Sequence, residues 1–516
     1  MKKFYITTPI YYASGNLHIG HLYTTTLAWV IANYKKKQGY DVRMLTGSDE
    51  HGNKINEKAL EQNKTPQKLV DEISQKFIQM WKDFDINYTY FWRTTNQIHK
   101  NSVQKIFSFF LNKGYIYKDK YEGYYSVSDE EFLTLSQAIK KDGNYYHPVS
   151  MKQLEYVSEE SYFFAMDKFI DWWKSYISTH KSFLWPKKTE NELIKNFIDE
   201  GIQNLSVTRT KVKWGIPAKE DINHTLYVWL DALCNYITVF NFDVDNYQNN
   251  KDFNDFWNSN DAEVVHILGK EISRFHMIYW PIFLQALGLK QPSRIQSHGW
   301  ILDAQGRKMS KSLNNVVDPY ELLKKYHPEM IKYFLVSQIN IGEDGLFDEN
   351  RFIDVINSEL INNFGNLVSR TLKMKSNVFN YESLKYYQTN DRLDLELEDK
   401  ITNSLKDFIF EFDNYRLDKA FKVAINLSNY LNKYIDETKP WTLSEQRNRL
   451  SEILIRLLNG IYAVASYLEI VLPNKINEVK QALGVGELNF NFISDFKKFD
   501  NTLQQKEFIL FTRIKK

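Results

Sequence analysis

Apolar and polar residues follow two different rhythms along this chain. In the first, short apolar runs alternate with helical spacing. Phe4 to Thr8 reads as a buried strand, Tyr11 to Asn16 as a turn-rich loop, and Leu17 to Gln38 as a helix that stops at Gly39. Val42 to Thr46 is a second strand, followed by Gly47-Ser48-Asp49-Glu50-His51-Gly52. Strand, helix, strand in that order predicts a parallel α/β unit, and ligands of such sheets bind beyond the carboxyl ends of the strands. From about Gly114 to Pro217 the rhythm breaks into strands and hairpins, as an insertion would. The α/β pattern resumes at Leu226-Tyr227-Val228-Trp229-Leu230 and runs through Val264 to Leu268. A strand-like Gly299-Trp300-Ile301-Leu302 and a turn at Asp303 to Gly306 then lead into Lys308-Met309-Ser310-Lys311-Ser312.

The second rhythm begins near Asn350. Phe352, Ile356, Leu360, Phe364, Val368 and Leu372 form a stripe at four-residue spacing, and Ile401 to Tyr434 continues in the same style. Pro440 interrupts it. Thr442-Leu443-Ser444-Glu445 offers a capping box for a further helix ending near Pro473. The reading is a helical bundle.

Composition narrows the classes. A chain of 516 residues has room for roughly three domains of about 150 residues. Its 43% hydrophobic and 25% charged content is that of a soluble globular protein. A net charge of only +2 carries no overall basic excess, so a nucleic acid would be met by local patches. The one cysteine, Cys234, excludes an intrachain disulfide framework and any cysteine zinc site. The N-terminus runs into a strand without a signal-peptide core, and the longest apolar run, Met277 to Leu289, is too short to span a bilayer. A cytoplasmic protein with no membrane partner is expected.

Candidate chemistry sits in two short motifs, His18-Ile19-Gly20-His21 and, some 290 residues on, Lys308 to Ser312. Either alone reads equally well as an ordinary helix turn or a solvated loop. As a pair they point to activation of a substrate carboxylate by ATP. Attack on the α-phosphate builds negative charge and expels pyrophosphate, a step served by positioning and electrostatic stabilisation. Two histidines on a first helical turn can hold the nucleotide, Gly20 lets adenine approach bare backbone, and the helix N-terminus favours phosphate. Lys308 and Lys311 can neutralise the departing pyrophosphate. Asp49, just past a strand end, is either a turn residue or an anion facing a substrate ammonium. Gly47 and Gly52 have P-loop separation, but Asn53 stands where a lysine is required, which rejects that reading. Trp229, Ala232, Leu233 and Tyr236 follow a strand, and Ile272, His276 and Trp280 share a helical face after Gly269-Lys270. They are either plain core or an aromatic pocket for an unbranched, uncharged side chain such as a thioether. Asn366, Arg370 and Trp441 are either an ordinary bundle face or a surface for splayed RNA bases.

These segments together resemble the class I aminoacyl-tRNA synthetases, and among them the methionyl-tRNA synthetases of the shorter bacterial kind, over essentially the whole chain. The resemblance also rests on Thr7-Thr8-Pro9-Ile10-Tyr11-Tyr12, Gly47 to Gly52, Tyr227 to Leu233, Gly269-Lys270-Glu271-Ile272, Asn366 to Arg370 and Asp436-Glu437-Thr438-Lys439-Pro440-Trp441. It implies an α/β fold: a Rossmann-like parallel-sheet catalytic domain in two halves, 1–115 and 223–300, with an inserted connective domain at 116–222. A connecting region carrying the lysine loop, 301–350, and an all-α anticodon-binding bundle, 351–516, follow. It implies that His18, Gly20, His21, Gly269, Lys270, Glu271, Lys308 and Lys311 bind ATP, with the two histidines and two lysines catalytic. Ile10, Tyr12, Asp49, Trp229, Ala232, Leu233, Tyr236, Ile272 and His276 would hold methionine, and Asn366, Arg370 and Trp441 would read the CAU anticodon. The substrates would be methionine, ATP as its magnesium complex, and tRNA(Met) of both initiator and elongator kinds.

The chain departs from the family pattern twice. Many relatives carry a Cys-X-X-Cys zinc knuckle in the insertion. Here Tyr124 to Glu131 and the stretch to His147 hold no cysteine, so no structural zinc is expected. The chain also ends soon after the bundle, without the C-terminal dimerising barrel of some relatives, which predicts a monomer. Synthetases for leucine, isoleucine or valine fit less well because their editing insertions are large, and one for cysteine would want metal ligands. A non-catalytic tRNA-binding relative or a nucleotidyltransferase would not need both motifs, a full pocket and a bundle.

Overall fold

The apolar runs of the first rhythm become one all-parallel sheet of six strands. Its spatial order is Tyr90–Arg93, Asp41–Asp49, Lys3–Tyr12, Ala262–Gly269, Arg294–His298 and Leu184–Trp185. The computed structural model describes residues 1–516 except 127–130, 134, 136, 137, 149, 150, 311, 312, 314, 381, 501, 503, 506 and 516, and the side chains of 121, 131 and 132. Lys3–Tyr12 pairs with Asp41–Asp49 on one side and Ala262–Gly269 on the other. The chain thus reverses its direction of growth at the first strand, and a crevice opens at the carboxyl ends there.

That strand is longer than its sequence suggests. Tyr11 and Tyr12, expected in a loop, pair with Ser48 and Asp49. The pairing slips by one residue between Thr7 and Ile10, around Pro9, which has no N–H to give the ladder. The bulge re-aims Ile10 and Tyr12. Gly47 makes it possible, because a Cβ there would lie 1.9 Å from the Trp92 carbonyl oxygen and 2.9 Å from Ile10.

The insertion forms a four-stranded antiparallel sheet in which Ile116–Ser126 and Glu155–Phe164 pair along their length. Its Leu184–Trp185 segment returns to the main sheet beside Arg294–His298. Part of the zinc-knuckle stretch, 127–130, lies outside the described residues. Among the described residues one group of metal-capable side chains meets, Glu160, Asp221 and His224, and the Lys118 ammonium lies 2.6 Å from Glu160 and 2.9 Å from Asp221. Those carboxylates already have their counter-charge. Cys234 is buried, and burial pushes its thiol well up.

Residues 349–379 form one helical run, and all six residues of the four-spaced stripe are fully buried. A plain α-helix rotates about 40° past a full turn every four residues, which would carry such a stripe off its face. The middle of this run, Ile356–Gly365, is a π-helix whose wider turns absorb that drift. Arg392–Asp413, Leu417–Thr438, Arg447–Leu468 and Pro473–Leu483 complete the bundle. The expected capping box at 442–445 does not form. Pro440–Thr442 is a 3-10 turn in which the Thr442 hydroxyl donates to the Lys439 carbonyl, and the next helix starts at Arg447 and ends at Leu468. Among the described residues no helix is long and apolar enough to cross a membrane.

The first helix, Ile19–Lys37, joins the two halves. Its Tyr34 hydroxyl donates to Asp413 at 2.8 Å, and its Asn33 donates to the Ile470 carbonyl at 3.1 Å. One continuous apolar core runs from Phe4 through this helix to Leu472 and Phe511.

Candidate active site

The two histidines build the start of the first helix themselves. His18 is the N-cap, and its Nδ1 accepts from the Gly20 amide at 3.0 Å. His21, three residues on, accepts the His18 amide on its own Nδ1, also at 3.0 Å. This is a capping box made of two imidazoles. Each Nδ1 is an acceptor, so in the neutral ring the proton sits on Nε2. Two N–H donors are therefore presented beyond the helix N-terminus, where the backbone dipole also favours an anion. Burial first, then the neighbouring His18, holds the His21 pKa well below the usual histidine range, so it stays neutral. Gly20 has a role beyond access for adenine: a Cβ there would lie 2.9 Å from the His18 ring.

The cavity in front of this turn measures about 420 Å³, a volume suited to a small ligand. It is lined by Ile10, Tyr12, His18, Gly20, His21, Asp49, Trp229, Ala232, Leu233, Tyr236, Gly269, Glu271, Ile272, His276 and Lys308. Nearly every residue expected around ATP and methionine is thus brought together from segments hundreds of positions apart. Asp49 is buried at the end of its strand, opposite Tyr12, and its carbonyl accepts from the Ala13 amide at 2.8 Å.

The apolar end is closed by rings. Trp229 stacks on Phe275 at 3.5 Å between centroids. His276 donates from Nδ1 to the Ile272 carbonyl at 3.0 Å, leaving Nε2 to accept from the Tyr236 hydroxyl at 2.7 Å. Burial lowers the His276 pKa to about 4, so the pair is neutral and internally satisfied. A charged side chain would find no counter-charge there. Trp229, Ala232 and Leu233 follow the short strand Thr225–Leu226, as expected, and the helix Val228–Leu233 puts them on one turn. Trp280, expected on the face of Ile272 and His276, turns away and donates to His266 at 3.2 Å. The π-helical turn Phe275–Tyr279 changes the phase between them.

Behind this wall a buried network fixes the Trp229 helix. Asp231 accepts from His51 at 2.6 Å and His99 at 2.7 Å. Burial opposes its charge, but the two histidines hold its carboxyl down at about 2.

Two expected residues lie otherwise. Lys270 is not in the lining: its ammonium pairs with Asp344 at 2.6 Å and lies 3.9 Å over the Trp300 ring. Lys311 falls outside the described residues. The loop before it is clamped by Asp303, which accepts from Asn315 and from the Arg307 amide at 2.8 Å each. Asn315 first, and Arg307 after it, hold the Asp303 carboxyl well below the carboxylate range. Asn366, Arg370 and Trp441 sit on the bundle, away from the cavity. Asn366 is exposed, Arg370 reaches Asp436 at 3.2 Å, and Trp441 is 54% exposed.

The cavity also contains residues that the motifs did not single out: Pro9, Thr24, Lys54, His298, Gly299 and Trp300. Thr24 lies one turn after Gly20, and its hydroxyl meets His298 Nε2 at 2.7 Å. His298, Gly299 and Trp300 follow the parallel strand Arg294–His298, so the rule that ligands gather beyond such strand ends was the available signal.

Comparisons with known proteins agree with this geometry. The family model for tRNA synthetases class I (M) matches residues 4–372. The methionine–tRNA ligase of Mycoplasmopsis pulmonis is 49% identical over 515 residues, covering 100% of this chain and 99% of that protein. That of Ureaplasma parvum is 42% identical over 95% of this chain and 92% of its own length. Among solved structures, Mycobacterium tuberculosis methionyl-tRNA synthetase bound by methionyl-adenylate superposes with a TM-score of 0.93 at 29% identity, covering 99% of this chain and 100% of that one. The free form of that enzyme gives 0.87 at 27% identity.

Proposed function

The chain belongs to the class I methionyl-tRNA synthetases, and from that membership we propose a residue-level account of its reaction. The protein activates methionine with ATP, as the magnesium complex, to methionyl-adenylate and pyrophosphate. It then passes the methionyl group to the 3′-terminal adenosine of tRNA(Met). No residue need act as a covalent nucleophile, because the methionine carboxylate and the tRNA hydroxyl supply both attacking oxygens.

In this reading the Nε2–H groups of His18 and His21 donate to the phosphate oxygens as charge builds at the α-phosphorus. The observation that carries it is the mutual cap, which orients both donors into the cavity that also holds Asp49 and Lys308. Preorganised donors of this kind need no rearrangement as the reaction proceeds. Lys308 and Lys311 take up the charge of the leaving pyrophosphate. Asp49 faces the methionine ammonium beside Ile10 and Tyr12. Trp229, Ala232, Leu233, Tyr236, Ile272 and His276 enclose the side chain, and a neutral, satisfied Tyr236–His276 pair favours a thioether over a charged group. Gly269 and Glu271 meet the adenosine. Lys270 acts at one remove, through Trp300 and Asp344.

Asn366, Arg370 and Trp441 read the CAU anticodon, and a reader of CAU charges initiator and elongator tRNA alike. An exposed indole and an arginine held by Asp436 on the same bundle are groups that can stack on unpaired bases. The same reading has 116–222 as the inserted connective domain and 351–516 as the anticodon domain, with a single chain in the cytoplasm as the working unit.

Pyrophosphate exchange into ATP, driven by each amino acid in turn, tests the substrate. Methionine should drive it and leucine, isoleucine, valine and cysteine should not. Exchange with one of those and none with methionine would sink the assignment.

A further inference from the structure

Trp300 belongs to neither of the two ATP motifs, yet three charged residues of the nucleotide side converge on it. The Lys308 ammonium lies 4.0 Å and the Lys270 ammonium 3.9 Å from the centroid of its ring. Its Nε1 donates to Glu271 at 3.2 Å. The backbone on either side is held firmly: the Trp300 amide donates to Asp344 at 2.8 Å, and its carbonyl accepts from the Gly345 amide at 2.8 Å. Gly299, just before it, admits no Cβ, which would fall 2.1 Å from the Glu343 carbonyl oxygen. The indole therefore has a fixed place in the cavity wall.

The two lysines on this ring are not equivalent. Asp344 answers the charge of Lys270. Lys308 is exposed and has no acidic partner among the described residues; its ammonium rests on the ring alone. The difference matters for a group that must meet pyrophosphate. A carboxylate would hold a lysine in place but cancel the charge it has to deliver. An aromatic face orients the ammonium through its quadrupole and leaves the charge in force.

We infer that Trp300 is a positioning residue for methionine activation, one that sets the Lys308 ammonium at the rim of the nucleotide cavity without neutralising it. The inference rests on the phosphate role proposed above for Lys308. Trp300 itself touches no reacting atom in this account; it acts through the lysine, while its Nε1 steadies Glu271.

Methionine-driven pyrophosphate exchange by the full chain, with Trp300→Leu, Trp300→Phe, Lys308→Ala and the Trp300→Leu/Lys308→Ala double variant, tests this. Trp300→Leu should lower kcat about tenfold while the methionine KM stays within about twofold. Trp300→Phe keeps a π face without the Nε1 donor and should recover to within about threefold of the parent. In the Lys308→Ala background Trp300→Leu should cost less than about twofold, because the group it positions is gone. An equal cost with and without Lys308, or Trp300→Phe as slow as Trp300→Leu, overturns the inference. Lys308→Ala at the parent rate overturns the phosphate role of Lys308 and this inference with it. Lys308→Ala slow and Trp300→Leu unimpaired overturns this inference alone.

Discussion

In the reading proposed above, the cavity and the bundle face that carries Asn366, Arg370 and Trp441 would meet their ligands with opposite physics. The cavity draws its walls from segments between Pro9 and Val316, most of them buried or half-buried, and burial keeps its His21 and His276 neutral. On the bundle, Asn366 and Arg370 lie on one helix and Trp441 on a 3-10 turn between two others, with Trp441 more than half exposed. Small substrates are discriminated by enclosure, where an unmet charge is costly and a directed N–H is worth most. An RNA loop cannot be enclosed, so it is met by groups that stay in water and stack. The first helix ties the two together, carrying His18 and His21 at its start and contacts to Asp413, Glu469 and Ile470 towards its end.

Variants can break this contrast at either end. The largest effect is expected at His21→Ala, which removes one of the two donors proposed to meet the phosphate. Its kcat for pyrophosphate exchange should fall by about 100-fold or more with little change in the methionine KM. Loss confined to KM would make His21 a ground-state binder.

Acid comes next, because all 11 histidines precede position 351 and the bundle has none. His276 in the folded chain titrates near 4, and His21 and His266 are also held well below the ordinary value, each chiefly by burial. Below about pH 6.5 the unfolded chain binds protons that these folded rings refuse. Their contribution is therefore complete above that pH and is lost as pH falls towards the folded values, roughly 3 kcal/mol for His276 alone by pH 4. Asp394 in the bundle is held below the carboxylate range against burial by Arg449 and Tyr434, so its contribution is lost only at still lower pH. Amide protection, taken relative to the intrinsic exchange rate at each pH, should fall around the cavity first between pH 7 and 5. A uniform fall across both regions would show that they unfold as one unit.

Asp49→Asn should raise the methionine KM by about tenfold or more while leaving the ATP KM near its parent value, as expected for a lost charge-assisted contact. Equal effects on both substrates would point to a collapsed strand end. The smallest change belongs to the surface. Trp441→Ala should lower the kcat/KM for tRNA charging by about tenfold and leave exchange intact, the scale of one lost base stack. A matching fall in exchange would mean that the bundle face supports the fold instead.

Legibility divides along the same lines. The histidine turn could be read from four residues because its structure is local: the side chains proposed to meet phosphate also cap the helix. The four-spaced stripe of the bundle was equally readable as helix, since six apolar residues at that spacing point to one buried face, although the spacing does not show that the middle of the run is π-helical. Other features were hidden by local ambiguity. Val228-Trp229-Leu230 is apolar enough for a strand or a buried helix, and only packing against Phe275 and His276 separates the two. Thr442 to Glu445 has the letters of a capping box, but Pro440 and the left-handed Lys439, at φ +46°, commit the chain to a tight turn first.

From its residues alone this chain determined the α/β-then-helical order and the short segments that line the cavity, because each is recognisable from neighbours within a few positions. Only the tertiary structure decided that Tyr11 and Tyr12 continue the first strand, that Trp280 turns away from the pocket, and that Trp300 gathers Lys270, Glu271 and Lys308 on one ring. These depend on what a distant strand, helical turn or loop brings alongside, and no local spacing encodes such a meeting.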